Sequence, residues 1–181
     1  MYIWTGLVFE KEIENRIRSI CKQINIDYNL NELSFTLPQH ISIKTSFLCD
    51  DYDEIIKYIK EVLSNQRSFE VNIIGVTKIN NGVIWFDIEE TSELRNLHNL
   101  LNEELKEKYN IPLSDFDGDK FRFHSTLFQD ININDSHQEV IDKLNKEFKY
   151  PITININKID IGISKEGKVG TFDVIDSITL K

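Results

Sequence analysis

His40 and His124 are each followed two residues later by a hydroxyl residue, Ser42 and Thr126, within the runs His40-Ile-Ser-Ile-Lys-Thr-Ser-Phe47 and Phe121-Arg-Phe-His-Ser-Thr-Leu-Phe128. Both runs are rich in β-branched and aromatic residues and read as strands. Side chains alternate across a strand, so His40, Ser42 and Lys44 are expected on one face, with Ile41 and Ile43 on the other. Arg122, His124 and Thr126 share a face in the same way. An imidazole beside a hydroxyl suits phosphodiester chemistry. Imidazole, with an ordinary pKa of about 6.5, both accepts and donates protons near neutral pH. One ring can deprotonate a nucleophile while the other protonates the departing oxygen, each contributing roughly 10²- to 10⁴-fold. The hydroxyls can donate to the non-bridging oxygens as charge builds in the transition state. Such a scheme requires no metal and no cofactor.

A single His-x-Ser/Thr on a strand is a common accident. The remaining histidines act as a control: His98 has Leu100 two residues on and His137 has Glu139, and both lie in polar helical contexts expected to face solvent. The pair containing His40 and His124 gains weight because each sits at an equivalent place in a repeat. A strand over 2–9 and a helix over 10–24, with Ile13, Ile17, Ile20 and Ile24 at helical spacing, precede His40. A helix over 91–109, with Leu94, Leu97, Leu101 and Leu105 on one face, precedes His124. A helix follows each histidine, from Asp50, Asp51 and Asp53 to Leu63 in one case and from Asp135 or Ser136 to Phe148 in the other. Strands over 69–79 and 83–88, joined by the turn Asn80-Asn81-Gly82, come next in the first half. Strands over 152–163 and 168–175, joined by Ser164-Lys-Glu-Gly167, come next in the second. Phe86-Asp87 begins 46 residues after His40 and Phe172-Asp173 begins 48 after His124. The pattern predicts one α+β domain of two pseudo-symmetric lobes, each an antiparallel β-sheet packed with helices, with an active-site groove between them. The sequence halves run roughly over 1–80 and 81–181, with strands free to exchange between lobes.

Bulk properties narrow the substrate. The chain has 181 residues, 40% hydrophobic and 28% charged, enough for a sizeable core. Its net charge of −9 disfavours a long polyanion such as duplex DNA and favours a small substrate or a strand end. No apolar stretch approaches the ~20 residues that span a bilayer. The apolar start lacks a basic leader and runs into Glu10-Lys11-Glu12, so it reads as a first strand rather than a signal peptide. Cys21 and Cys49 lack metal-ligand spacing and read as unpaired thiols of a cytoplasmic protein, expected to be a monomer.

At these residues the chain resembles the two-histidine (2H) phosphoesterase superfamily, which includes 2′-5′ RNA ligase-like proteins and cyclic nucleotide phosphodiesterases. That family carries two His-hydrophobic-[Ser/Thr]-hydrophobic motifs, one in each half of a pseudo-symmetric α+β fold. His40-Ile-Ser-Ile43 matches fully, and His124-Ser-Thr-Leu127 matches except for Ser125 at the usually hydrophobic position. The resemblance implies catalytic or phosphate-binding roles for His40, Ser42, His124 and Thr126. It implies opening of a 2′,3′-cyclic phosphate, or of a related cyclic or 2′-5′ phosphodiester, on a nucleotide or RNA end. Many relatives place an arginine soon after the second motif, where this chain has Phe128-Gln129. Two alternatives stand beside hydrolysis: a non-catalytic module binding RNA ends or nucleotides, and 2′-5′ RNA ligation by the same groups in reverse.

Four further residues are candidates for substrate binding. Lys44 and Arg122 lie on the motif faces and could neutralise phosphate, the guanidinium of Arg122 bidentately. Tyr2 and Trp4 on the first strand could stack on a base. Asp115, Asp117 and Asp119 around Gly118 lack the glycine position and the later glutamate of a calcium loop, and read as a solvated turn with no metal. The mixed charges of Glu103-Glu-Leu-Lys-Glu-Lys108 read as a solvent-facing helix surface.

Overall fold

A computed structural model describes residues 1–28, 30, 36–79, 82–129 and 136–181, excepting the side chains of Ser136 and His137. In chain order the elements are β1 (Tyr2–Val8), α1 (Lys11–Tyr28), β2 (His40–Leu48), α2 (Tyr52–Leu63), β3 (Phe69–Ile79), β4 (Val83–Ile88) and α3 (Ser92–Tyr109). They continue as β5 (His124–Phe128), α4 (Ser136–Glu147), β6 (Ile152–Ile156), β7 (Lys158–Ser164) and β8 (Asp173–Thr179). Local chemistry sets several boundaries. The Asp51 side chain accepts from the Glu54 N–H and starts α2, and Thr91 accepts from the Leu94 N–H and starts α3. Asn110, in the left-handed region at φ 54°, closes α3 by donating its N–H to the Leu105 and Lys106 carbonyls. The expected turn residues Asn80 and Asn81, the Asp135 cap and the His137 side chain lie outside the described residues.

The strands form two four-stranded antiparallel sheets, ordered β2-β1-β7-β8 and β5-β4-β3-β6. Each motif strand is therefore an edge strand. The first sheet takes strands from both ends of the chain and the second takes the middle, so the lobes do not coincide with sequence halves. The crossover lies in the run expected as a single strand over 152–163. Its apolar residues sit at even positions through Ile156 and at odd positions from Ile159, and β6 and β7 belong to different sheets. A one-residue change of phase sends side chains to the other face, which a continuous strand cannot accommodate. The predicted strand over 168–175 begins only at Asp173, after a turn with Gly170 at φ 82°. This also corrects the proposed match of Phe86-Asp87 with Phe172-Asp173. β4 adjoins motif strand β5, whereas β8 is the outermost strand of the other sheet, so β1 is the positional counterpart of β4.

One continuous apolar cluster joins the sheets and helices, and it contains Ile41, Ile43 and Leu127 from the backs of the motif strands, each no more than 1% exposed. β2 departs from simple alternation. Gly6 pairs with Ser42 but Thr5 pairs with Lys44, which leaves Ile43 as an extra residue. Such a bulge reverses the facing of the residues beyond it, so Lys44 lies with Thr5 on the face opposite Ser42. It is 2% exposed, and its Nζ donates to Asp117 Oδ2 at 2.9 Å and Asn102 Oδ1 at 2.7 Å. Asp117 also accepts from the Thr45 N–H and the Ser114 N–H, both at 3.0 Å. The turn expected to be solvated is thus fastened to the interior at its centre.

A buried ion pair is costly to break from one side. Asp117→Ala, which leaves the Lys44 ammonium buried and unpaired, is expected to lose about 3–5 kcal/mol in urea unfolding. Lys44→Met combined with Asp117→Leu should recover most of that loss. An Asp117→Ala protein within about 1 kcal/mol of the parent, the range of an exposed pair, would contradict the assignment.

Candidate active site

Both motif histidines are held in the same manner. His40 Nδ1 lies 2.7 Å from the Pro38 carbonyl oxygen and His124 Nδ1 lies 2.7 Å from that of Arg122. A carbonyl only accepts, so Nδ1 carries the proton in each ring and Nε2 is left with its lone pair. An indole rests against each imidazole. Trp4 meets His40 edge-on with centroids 4.5 Å apart, and Trp85 stacks on His124 at 4.0 Å. Trp4 Nε1 donates to Ser42 Oγ at 3.1 Å, and Trp85 Nε1 donates to Asp87 Oδ1 at 3.1 Å. The Trp4 ring lies across Gly6 of its own strand and Gly162 of the adjacent β7. A Cβ on Gly6 would come within 2.2 Å of the indole and one on Gly162 within 3.0 Å. Glycine is needed there because the ring occupies the space a side chain would take.

His40, Ser42, His124 and Thr126 line one cavity of about 680 Å³, together with Trp4 and Trp85. The motif strands are joined across the seam by side chains. Gln39 Nε2 donates to Ser125 Oγ at 2.6 Å and to the Thr126 carbonyl at 3.0 Å, and Ser125 Oγ donates to the His40 carbonyl at 2.6 Å.

The other candidates divide. Arg122, 64% exposed along its side chain, lines the cavity 3.7 Å from Asp87 Oδ1. Lys44 reaches the cavity wall, but its ammonium is engaged by Asp117 on the far side of the strand, so it does not supply the free cation expected of it. Tyr2 packs its ring against Gly167 and is not among the lining residues, whereas Trp4 is. Sequence reasoning missed Trp85, Gln39 and the cavity-lining Lys120. Trp85 had a signal, because Trp4 and Trp85 are the two tryptophans and each lies on the strand-then-helix that leads to a motif. His98, expected at the surface, is fully buried. Its Nδ1 donates to the Ile43 carbonyl at 2.6 Å and its Nε2 accepts from the Gly118 N–H at 2.9 Å.

Burial governs the proton affinities. It pushes the His40 ring down to about 4, against the Pro38 carbonyl and Asp160 and with the help of the nearby His124. His124 is also lowered by burial and by the Arg122 guanidinium, with the Arg122 carbonyl and Asp87 opposing. Burial lowers His98, against its bond to Ile43. Burial would raise Asp117, but hydrogen bonds from Lys44, Ser114 and Thr45 outweigh it and hold the carboxyl below its ordinary value.

A family model described as the 2′-5′ RNA ligase superfamily matches residues 9–168. The chain belongs to that superfamily of two-histidine phosphoesterases. Solved structures share the fold over almost its whole length. TT0787 of Thermus thermophilus superposes with a TM-score of 0.70 at 12% identity, covering 99% of this chain and 98% of that one. E. coli LigT complexed with 3′-AMP superposes at 0.65 with 14% identity, covering 98% and 97%. A crystal structure described as a phosphoesterase gives 0.61 at 14% identity, again covering 98% and 97%. No curated protein matches the chain significantly in sequence. Against the family's motif, Ser125 now has a physical account. It is 1% exposed, yet its hydroxyl is used in full across the seam, where an apolar residue would leave Gln39 Nε2 and the His40 carbonyl short of a partner. Among the described residues no helix is long and apolar enough to cross a membrane.

The lowered histidines bear on stability. An unfolded imidazole titrates near 6.5, whereas these folded rings resist protonation, so below about pH 6.5 the unfolded state binds more protons and stability declines. The melting temperature is expected to fall between about pH 7.5 and about pH 5, with a smaller slope in His98→Gln. A flat profile over that interval would contradict the neutral state of the buried His98 and the partly buried His40 and His124.

Proposed function

We propose that the protein is a phosphodiesterase that opens a 2′,3′-cyclic phosphate, or a related cyclic or 2′-5′ phosphodiester, on a nucleotide or RNA end. The observation that carries this reading is the pair of imidazoles lining one cavity with Nδ1 tied back to a carbonyl in each, so that the proton-exchanging atom is Nε2 on both. One neutral imidazole takes a proton from water as its oxygen bonds to phosphorus. The other, protonated, gives its proton to the ribose oxygen as the ring P–O bond breaks, which leaves a phosphomonoester and a free hydroxyl. Thr126 and Ser42 face the same space and serve as donors to the non-bridging oxygens. Ser42 is suited to this because Trp4 Nε1 already occupies one of its acceptor sites and leaves its own O–H free to donate. Arg122 and Lys120, both lining the cavity, supply positive charge to it.

The substrate class follows from size and charge. A cavity of about 680 Å³ lies in the small-ligand range, roughly 300–1,000 Å³. The net charge of −9 disfavours a long polyanion. E. coli LigT, at 14% identity, has been solved with 3′-AMP, the kind of monoester that such a reaction leaves.

Two measurements test the proposal. His40→Ala or His124→Ala should each lower hydrolysis of a 2′,3′-cyclic nucleotide by roughly 10²- to 10⁴-fold in a folded protein. Parent-like turnover in both variants would exclude the mechanism, and binding without turnover by the parent would favour a non-catalytic module. The second is the pH profile of kcat/KM, which reports on the free enzyme. With the His40 ring held at about 4 and His124 also lowered, the state with one ring charged and one neutral is populated on the acid side. The profile should already be falling as pH rises toward about 6.5, the ordinary imidazole value, because both lowered rings have by then given up the proton that the acid must supply. An optimum above about 8, where an unperturbed imidazole is neutral, would exclude this pair as the acid and base.

A further inference from the structure

We propose that Gln39 and Ser125 are positioning residues that set the separation of the two motif imidazoles by bonding one edge strand to the other. The inference rests on the two-histidine reading, because it concerns how that pair is held.

β2 and β5 end separate sheets, and among the described residues no backbone ladder joins them. Their spacing is therefore set by whatever lies between. Gln39 and Ser125 occupy that position, 5% and 1% exposed. The side-chain N–H₂ of Gln39 has two donors, and the two acceptors in reach are Ser125 Oγ at 2.6 Å and the Thr126 carbonyl at 3.0 Å. The Ser125 hydroxyl accepts from Gln39 and passes its own proton to the His40 carbonyl at 2.6 Å. Every bond therefore ends on a motif residue or on its immediate neighbour. Gln39 is itself fixed: its N–H donates to Glu14 Oε1 at 3.2 Å and its carbonyl accepts from the Phe9 N–H at 2.9 Å. Glu14, 4% exposed, is held in turn by Lys11 at 2.9 Å and Arg18 at 2.8 Å. A chain of polar contacts thus runs from α1 through Gln39 and Ser125 to both motifs. An apolar residue at position 125 could fill the volume but could not transmit this register. Reacting groups need placement within a fraction of an ångström, and an error of about 1 Å can cost roughly 100-fold in rate.

Threonine and valine at position 125 match in shape and differ only in the hydroxyl, so they separate positioning from packing. Ser125→Val should lower kcat on a 2′,3′-cyclic mononucleotide at least about tenfold with KM within about threefold, and Ser125→Thr should keep kcat within about threefold. Gln39→Met, which removes the donors at similar length, should behave like Ser125→Val and carries the test if Ser125→Val does not fold. A second readout needs no turnover. NMR titration of the imidazole ring protons should show the midpoints of both His40 and His124 displaced in Ser125→Val and Gln39→Met but not in Ser125→Thr. Midpoints displaced in Ser125→Val and Gln39→Met, with a parent that hydrolyses nothing, would uphold the positioning role and remove the hydrolase reading. Parent-like kcat and parent-like midpoints in both Ser125→Val and Gln39→Met would overturn the positioning role and leave the hydrolase reading intact.

Discussion

The edges of two β-sheets, brought into the interior, are the constraint on which the rest of this structure depends. An edge strand presents N–H and C=O groups that no neighbouring strand satisfies, and inside a protein each must find another partner. β2 finds them in side chains. Its His40 carbonyl accepts from Ser125, its Ile43 carbonyl from His98, and its Thr45 N–H donates to Asp117. These three partners come from β5, from α3 and from the turn before the second motif. The groups that satisfy the edge are thereby the groups that draw the second half of the chain against the first. A cavity between two motif strands is what remains where the edges approach without pairing.

The resulting site is symmetric in its frame and asymmetric in its charge. Each motif imidazole is tied by Nδ1 to the carbonyl two residues earlier, and each is covered by an indole from the neighbouring strand. The indole N–H groups differ in what they serve. That of Trp4 binds the motif hydroxyl of Ser42, while that of Trp85 binds the carboxylate of Asp87. The cations differ as well. Arg122 and Lys120 line the cavity from the segment that leads into the His124 motif, whereas the lysine on the His40 strand is turned away by the bulge and neutralised.

What the sequence made legible was local, and what it hid was long-range. The two motifs, the helix starts near Asp51 and Thr91, and the apolar stripes of the helices all express spacing within a few residues. The facing of Lys44 depended on a bulge, which is set by how β2 pairs with β1 and leaves no mark on the alternating pattern of 40–47. The burial of Asp117 depended on that same lysine, 73 residues away in the chain. Two other features were readable. His98 lies between Leu94, Leu97 and Leu101 on the stripe that buries α3, so helical geometry placed it inward despite its polar neighbours. The slip from even to odd apolar positions after Ile156 marked the crossover between sheets.

The Lys44–Asp117 pair shows why such hidden features are not merely stabilising. Taking two charges out of water costs several kcal/mol per ion, and well-packed apolar residues often serve as well or better for stability alone. The contribution of the pair is then best understood as positional. The Asp117 carboxylate gathers the Lys44 ammonium, the Thr45 N–H and hydroxyl, and the Ser114 N–H, saturating both oxygens from β2 and from the turn itself. An apolar substitute would fill the same space while fixing none of those directions. Phe116, Lys120, Phe121 and Arg122 reach the cavity from this one segment, so the place where the turn is pinned decides where these aromatic and cationic side chains enter the cavity wall. Beneath the first motif the bulge turns the Lys44 ammonium toward Asp117, and the same displacement anchors the segment that carries Lys120 and Arg122.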